Sequence, residues 1–94
     1  MAIRDFRDKE AQRIFEGRFS LKLPQSIQKK TRMKLLQLNA AVSLNDLKVP
    51  PSNRLEALLG DRAGRFSIRI NSQFRVCFEW REGNAFGVEV VDYH

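Results

Sequence analysis

Three consecutive segments in the second half of the sequence alternate between apolar and polar residues, and this pattern limits the possible folds more than any other feature. The apolar positions are Phe66, Ile68 and Ile70, then Phe74, Val76, Phe78 and Trp80, then Phe86, Val88 and Val90. Successive side chains of a β-strand point to opposite faces of a sheet, so each segment predicts a strand with one face on a core. Short polar stretches at 71–73 and 81–84 separate the segments. The pattern therefore predicts a three-stranded antiparallel meander.

The turn between the first two predicted strands leaves two registers open. Residues that face each other across an antiparallel pair point to the same side, so Ile70 has to lie opposite either Phe74 or Val76. The first choice, with a three-residue turn, also places Arg69 opposite Arg75. In both registers the polar face carries three arginines: Arg65, Arg69 and Arg75. Because like charges this close cost stability, the face either binds an anion such as phosphate or lets its arginines bend apart into water.

Helical spacing replaces the alternation in the first half of the chain. Apolar residues within 11–15 predict a first helix, which Asp5 or Asp8 can cap and Gly17 can end. A second helix is expected from Pro24, which suits a first helical turn. One apolar stripe carries this helix to about position 42: Ile27, Thr31, Leu35, Leu38 and Val42.

These elements predict a single α+β domain over residues 1–94. A short first strand around Ile3 and Phe6 precedes the helices. The Pro-rich stretch 50–53 cannot continue a helix and leads to a short apolar piece at 54–59. The expected architecture is an N-terminal helical hairpin packed on one face of a small, twisted, mainly antiparallel sheet.

The positive charge of the chain is unevenly distributed. The net charge is +6, and residues 1–38 alone hold ten basic and four acidic residues, whereas residues 39–94 are balanced. Four cations lie on or beside the exposed side of the second predicted helix, with Lys34 at the edge of the apolar stripe: Lys29, Lys30, Arg32 and Lys34. Segregated positive charge favours a polyanion such as nucleic acid, although a merely solvated basic face has the same composition.

Composition also argues against several classes of protein. Cys77 is the only cysteine, so no intramolecular disulfide and no zinc spacing is expected, which fits a reducing cytoplasm. No apolar run follows the basic residues near the start, so a signal peptide is not expected. No stretch approaches the roughly 20 apolar residues of a membrane span. We expect a soluble cytoplasmic protein without a cofactor.

The third predicted strand leads into Asp92-Tyr93-His94, which combines a carboxylate, a phenol and the only imidazole of the sequence. The simplest interpretation is that these groups solvate a strand end. Beside the arginines and the basic helix, they also fit a ribonuclease. RNA carries its own nucleophile, the 2′-hydroxyl, so cleavage needs a base, an acid and cations on the phosphate but no metal. Imidazole can transfer protons near neutrality, which makes His94 the best candidate for that role.

Several motifs resemble the HigB branch of the RelE/ParE toxin superfamily, the plasmid maintenance system killer proteins. The resemblance covers essentially the whole chain, and its matching stretches are 6–11, 54–58, 60–64, 66–71, 74–78 and 88–94. It implies a RelE-like fold and a toxin that enters the ribosomal A site and cuts translated mRNA. It also implies a HigA-type helix-turn-helix antitoxin, with operator DNA bound only through the toxin–antitoxin complex.

The resemblance implies catalytic roles for four residues of this chain: Arg75, Asp92, Tyr93 and His94. We expect Arg75 to hold the scissile phosphate with support from Arg69, and Tyr93 to stack on or bond to the nucleotide. Asp92 would orient its neighbours, and the helix cations would grip ribosomal RNA.

One departure from the family concerns Glu56, which stands where some relatives have a histidine. Either Glu56 shares the role of general base with the terminal residues, or it only orients a partner. A carboxylate is the weaker base near neutrality, so slower cleavage would follow in the first case.

Two other functions remain open from the sequence. A ParE-like toxin of the same fold would act on DNA gyrase without cutting RNA, because a shared fold does not determine activity. A non-catalytic RNA-binding module would tolerate the loss of His94. The Tyr93-His94 pair favours the nuclease, since a gyrase binder has no evident need for a proton-transfer group.

Overall fold

A computed structural model describes residues 1–93, without the side chain of Arg62. Two helices, α1 at Lys9–Phe15 and α2 at Gln25–Ala40, precede the sheet. The strands are β1 at Glu56–Ala57, β2 at Arg65–Arg69, β3 at Phe74–Arg81 and β4 at Asn84–Asp92. Short 3-10 helices lie at Leu44–Lys48, Pro51–Asn53 and Gly60–Arg62. The strands are antiparallel in the order β1-β2-β3-β4, so the α+β prediction is confirmed.

The register of the meander is the one with a three-residue turn. Arg69 lies opposite Arg75, and the amide of Ile70 donates to the carbonyl of Phe74 at 2.9 Å. The side chain of Asn71 stabilises this turn, because its Oδ1 accepts from the amides of residues 73 and 74 at 2.8 and 2.7 Å. The alternative register, with Ile70 opposite Val76, is therefore wrong.

A β-bulge in β4 overturns the expected position of Phe86. Cys77 pairs with Glu89 but Glu79 pairs with Phe86, so β4 has one extra residue between these two pairs. Gly87 supplies the left-handed backbone of the bulge, with a φ of 58°. The shift carries Phe86 to the face opposite the core, where the Arg81 guanidinium lies 4.2 Å from its ring centroid.

The first residues of the chain extend the sheet beyond β4. Ile3 and Phe6 form isolated parallel bridges with Ala85 and Val88, so the expected first strand is present only as these two bridges. Helix α1 is capped by Asp8, whose carboxylate accepts from the amide of Glu10 at 2.9 Å. Asp5 instead accepts from the amide of Gly87 in the bulge.

The hydrophobic core lies between the helices and one face of the sheet. Four residues of the predicted stripe are buried in α2: Ile27, Thr31, Leu35 and Leu38. Val42 was expected in the same stripe, but α2 ends at Ala40 and Val42 is 81% exposed. No helix among the described residues is long and apolar enough to cross a membrane.

The opposite face of the sheet is less exposed than its polar sequence predicts. Ser67, Arg75 and Cys77 are all buried on this side, at 0%, 8% and 1% exposure. The chain covers this face from two directions, with the loop that precedes β1 and with the end of β4. The expectation of a largely wet face at Arg75 is therefore wrong.

Candidate active site

A polar cleft of about 420 Å³ lies at one end of the sheet, on the face away from the helices. Three parts of the chain build it: the segment that enters β1, the turn between β2 and β3, and the residue after β4. Its lining residues are Arg54, Glu56, Arg69, Asn71, Ser72, Arg75 and Tyr93. Four of the residues predicted from the sequence thus meet in one place: Glu56, Arg69, Arg75 and Tyr93.

Arg75 has a guanidinium that is held on two sides. Its Nε donates to Ser67 Oγ at 2.8 Å, and its Nη2 donates to the carbonyl of Arg54 at 2.5 Å. Ser67 lies two residues before Arg69 on β2, so the sheet register places its hydroxyl beside Arg75. These bonds leave Nη1 directed to the cleft, where Glu56 Oε1 lies 3.8 Å away. These two bonds therefore fix the orientation of the side chain.

Glu56 reaches the cleft because β1 pairs with β2. Glu56 lies opposite Ser67, so its side chain is on the same face as Arg75. The Glu56 side chain is 57% exposed and the Arg75 side chain only 10% exposed. A solvent-accessible carboxylate next to an oriented guanidinium can accept a proton from a ligand that the guanidinium binds.

Tyr93 and Asp92 follow one another but lie on different sides of the strand end. The amide of Tyr93 donates to the carbonyl of Gln73 at 2.6 Å, and its hydroxyl is 3.9 Å from Cys77 Sγ. Asp92 pairs with Phe74, is exposed, and accepts from Gln73 Nε2 at 3.2 Å. Tyr93 lines the cleft, whereas Asp92 is not among its lining residues. His94 falls outside the described residues.

Two further arginines surround the cleft. Arg69 is half-buried, and within residues 1–93 it makes no ion pair. Arg54 is exposed and has a left-handed backbone, with a φ of 45°. The sequence interpretation missed Arg54, Asn71 and Ser72 as lining residues. The three-residue turn would have revealed the last two, whereas no local pattern marks Arg54.

Arg65 stabilises the sheet and does not line the cleft. Its Nη2 donates to the carbonyl of Gly87 at 2.9 Å and to Glu89 Oε2 at 3.0 Å. The side chain is only 11% exposed. Arg65 thus donates a hydrogen bond to the backbone of the bulge and forms an ion pair with Glu89. This differs from the expected crowding of three arginines around a ligand.

The cations of α2 divide between two surfaces. Lys29 and Arg32 are exposed and border a groove between the two helices. Lys30 and Lys34 border a smaller pocket on the other side of α2, next to Arg69. Three of the four cations are exposed, as predicted, but they do not share one surface.

Lys34 is buried, contrary to the expectation that it lies at the exposed edge of the stripe. Its ammonium donates to Asn53 Oδ1 at 2.5 Å, and Asn53 is fully buried. The amide nitrogen of Asn53 in turn donates to the carbonyl of Leu47 at 3.1 Å. Burial lowers the pKa of Lys34, and the positive charge of Lys30 lowers the pKa further.

The groove between α1 and α2 has an apolar floor and a basic rim. Its volume is about 400 Å³, and its apolar residues are Ile14, Phe19, Met33 and Leu36. Three of these are well exposed: Phe19 at 55%, Met33 at 60% and Leu36 at 40%. The rim carries Arg18, Lys29 and Arg32. An exposed apolar patch with a polar rim is typical of a surface that binds another protein.

Comparison with known proteins relates the whole chain to one family. Residues 4–94 match the family described as the RelE-like toxin of the type II toxin-antitoxin system HigB. The chain is 40% identical over 82 residues to Toxin HigB-1 of Vibrio cholerae serotype O1, and 86% of each chain is covered. It is 26% identical over 92 residues to Endoribonuclease HigB of Proteus vulgaris, with 98% of this chain and 99% of that protein covered.

Proposed function

The chain belongs to the HigB-like toxin family of type II toxin–antitoxin systems, and we propose that it is a ribosome-dependent endoribonuclease that cuts translated mRNA in the A site. The name of one relative, Endoribonuclease HigB, supports the reaction class. The single observation that carries the proposal is the cleft itself, in which an oriented Arg75 meets Tyr93 and the exposed Glu56. The site of action would be the cytoplasm, where mRNA is translated.

The proposed reaction is a transphosphorylation within the RNA strand. The 2′-oxygen of one nucleotide loses its proton and attacks the adjacent phosphorus, and the bond from phosphorus to the 5′-oxygen breaks. The products are a 2′,3′-cyclic phosphate and a 5′-hydroxyl, which takes up a proton. Because RNA supplies the nucleophile, this route requires no metal ion or other cofactor.

Arg75 has the geometry to stabilise the pentavalent phosphate of this reaction. A guanidinium keeps its charge at any working pH and matches phosphate oxygens with paired donors. Its bonds to Ser67 and Arg54 remove the need to reorient during the reaction, which is the condition for strong electrostatic stabilisation. Arg69 would share the negative charge on the same phosphate.

The two proton transfers fall to Glu56 and to the residues at the end of β4. Glu56 is proposed to accept the 2′-proton, because its carboxylate lies 3.8 Å from the guanidinium that would hold the phosphate. His94 is proposed to protonate the departing 5′-oxygen. Tyr93 would contact the nucleotide from the wall of the cleft, and Asp92 would support the strand end through its hydrogen bond with Gln73.

The antitoxin is proposed to be a HigA-type helix-turn-helix protein that docks in the groove between α1 and α2. A basic rim around an apolar floor favours an amphipathic segment with acidic residues beside its apolar face. Because Lys29 and Arg32 would also contact ribosomal RNA, an antitoxin in this groove would exclude the ribosome and leave the cleft uncovered. Operator DNA would be bound only through the antitoxin.

Binding of purified antitoxin to toxin variants tests this docking site. We expect Met33→Glu to weaken the complex strongly, since it places a charge on the apolar floor. Leu59→Glu is the matched control, because Leu59 is an exposed apolar residue outside the groove. Equal affinity for the two variants would contradict docking in the groove.

Mapping of RNA 5′-ends after brief induction in cells tests the nuclease. We expect 5′-hydroxyl ends within open reading frames, in phase with the codons, and no such ends when translation initiation is blocked. Intact mRNA together with broken DNA would instead indicate a toxin that acts on gyrase. Intact mRNA with intact DNA would indicate a binding module.

A further inference from the structure

A second, smaller polar pocket lies next to the cleft, between α2 and the end of β2. Its volume is about 140 Å³, and its lining residues are Lys30, Lys34, Ser52, Arg69 and Ile70. Arg69 also lines the main cleft, so one side chain borders both cavities. A ligand that extends from the cleft along Arg69 would therefore reach this pocket next.

The lining of the pocket is strongly positive. Three of its five residues are cations and none is a carboxylate. Within residues 1–93, neither Lys30, Lys34 nor Arg69 forms an ion pair. Lys34 uses one donor on Asn53 and is 9% exposed, so little water reaches its charge. Charges of one sign that converge at a partly desolvated site repel one another, and a bound anion would offset this cost.

The size of the pocket restricts the ligand. Pockets that take whole small molecules are typically about 300–1,000 Å³, so about 140 Å³ suits one small group and not a nucleoside. The hydroxyl of Ser52 and the ammonium groups of Lys30 and Lys34 are donors that phosphate oxygens accept. The pocket thus has the size and the donors for a single phosphate group.

We propose that this pocket binds the phosphodiester that neighbours the scissile phosphate on the mRNA strand. This inference rests on the proposed nuclease function, since that function places the scissile phosphate at Arg75. The cations of α2 would then have two roles. Lys30 and Lys34 would contact the substrate strand, whereas Lys29 and Arg32 lie on the groove side. Arg69 would lie between the two phosphates and keep the strand in register with Arg75.

Neutral linkages in the substrate provide the test. Ribosomes carry a synthetic mRNA with a 2′-deoxy nucleotide at the cleavage position, and one phosphodiester at a time is replaced by an uncharged methylphosphonate. For the parent toxin, we expect about tenfold weaker binding when a linkage next to the cleavage position is neutral, the size of one charge-assisted hydrogen bond. Lys30→Gln should bind the unmodified mRNA more weakly and show a clearly smaller further loss at that linkage, because one of the cations on that phosphate is already gone.

Lys29→Gln is the matched control, because it removes the same charge from the adjacent residue outside the pocket. It should retain the sensitivity of the parent to the neutral linkage even if its overall affinity falls. The same sensitivity in Lys30→Gln and Lys29→Gln would overturn the inference. Lys30 is exposed, so Lys30→Gln is expected to fold, and the test does not depend on substitution of the buried Lys34.

A second measurement separates this inference from the nuclease proposal. Inorganic phosphate added to the isolated toxin should raise the pKa of Lys34 in NMR titrations, because a bound anion favours the charged ammonium. Lys30→Gln should reduce this response. Phosphate binding without mRNA cuts in cells would leave the pocket standing and the nuclease refuted. Cuts in cells, together with the same loss at the neutral linkage in Lys30→Gln as in Lys29→Gln, would refute the substrate role of the pocket alone.

Discussion

Truncation of Arg75 to alanine is expected to remove cleavage and also to lower the free energy of unfolding. The sequence alone predicts no loss of stability, because it places Arg75 on a wet face. In the structure the side chain is 8% exposed and donates to Ser67 Oγ and to the carbonyl of Arg54. Hydrogen bonds from a charged donor contribute about 1.5–3 kcal/mol, and their loss leaves two acceptors unpaired. Because a buried charge is costly to desolvate, its removal offsets part of this loss. We therefore expect the free energy of unfolding to fall by about 2–4 kcal/mol.

Urea unfolding followed by the fluorescence of Trp80 measures this loss. For a small domain the dependence on urea is about 1 kcal/mol per M, so a loss of about 2–4 kcal/mol should lower the midpoint by about 2–4 M. Arg69→Ala is the matched control, since Arg69 faces Arg75 across the strand pair but makes no ion pair within the described residues. Its free energy of unfolding should change by no more than about 0.5 kcal/mol.

Cleavage assays separate the effect of Arg75→Ala on the reaction from its effect on stability. At temperatures where both variants are folded, Arg75→Ala should cut mRNA at least about 10²-fold more slowly, by analogy with the loss of one oxyanion donor. An unchanged urea midpoint for Arg75→Ala would refute the stabilising role of its buried bonds. Full cleavage by the folded variant would refute its role on the phosphate.

The remaining predictions concern the base, the helix and the acid. Glu56→Gln should slow cleavage without loss of stability, because Glu56 is exposed, and primer extension on a translated message measures it; parental cleavage would exclude Glu56 as the base. Lys29→Gln with Arg32→Gln should weaken ribosome association and flatten its salt dependence, which pelleting at two salt concentrations detects. Unchanged pelleting at both concentrations would contradict that role. His94→Gln should slow cleavage by about 10²–10⁴-fold in the same primer-extension assay.

The pattern of the sheet is largely predictable because its apolar face is continuous. Strands β2 and β3 alternate strictly, so the core face and a pair of possible registers follow from parity. The bulge in β4 is not captured by the same reasoning, because one extra residue reverses the alternation and moves Phe86 to the other face. The local signal was Gly87, since a glycine inside a strand often marks a bulge.

Some residues of the site are likewise predictable from local sequence patterns, whereas others are placed by long-range contacts. Arg75 and Arg69 follow from the strand pattern, and Tyr93 from the end of β4. Lys34 could not be assigned from its helix alone, because its partner Asn53 lies 19 residues later in a loop. Arg54 enters the cleft through the backbone path of that same loop, which no periodicity describes.

The division of proton transfer between Glu56 and His94 determines how their substitutions should combine. If Glu56 is the base and His94 the acid of one concerted reaction, each single loss should cost about 10²–10⁴-fold, and the double variant should be little slower than the slower single one. If Glu56 only orients Arg75, Glu56→Gln should have a small effect that multiplies with that of His94→Gln. Primer extension with the parent, both single variants and the double variant, at equal ribosome occupancy, distinguishes these cases. Parental cleavage by His94→Gln would exclude the imidazole from the reaction and leave Glu56 and Tyr93 as the proton-transfer groups of the described cleft.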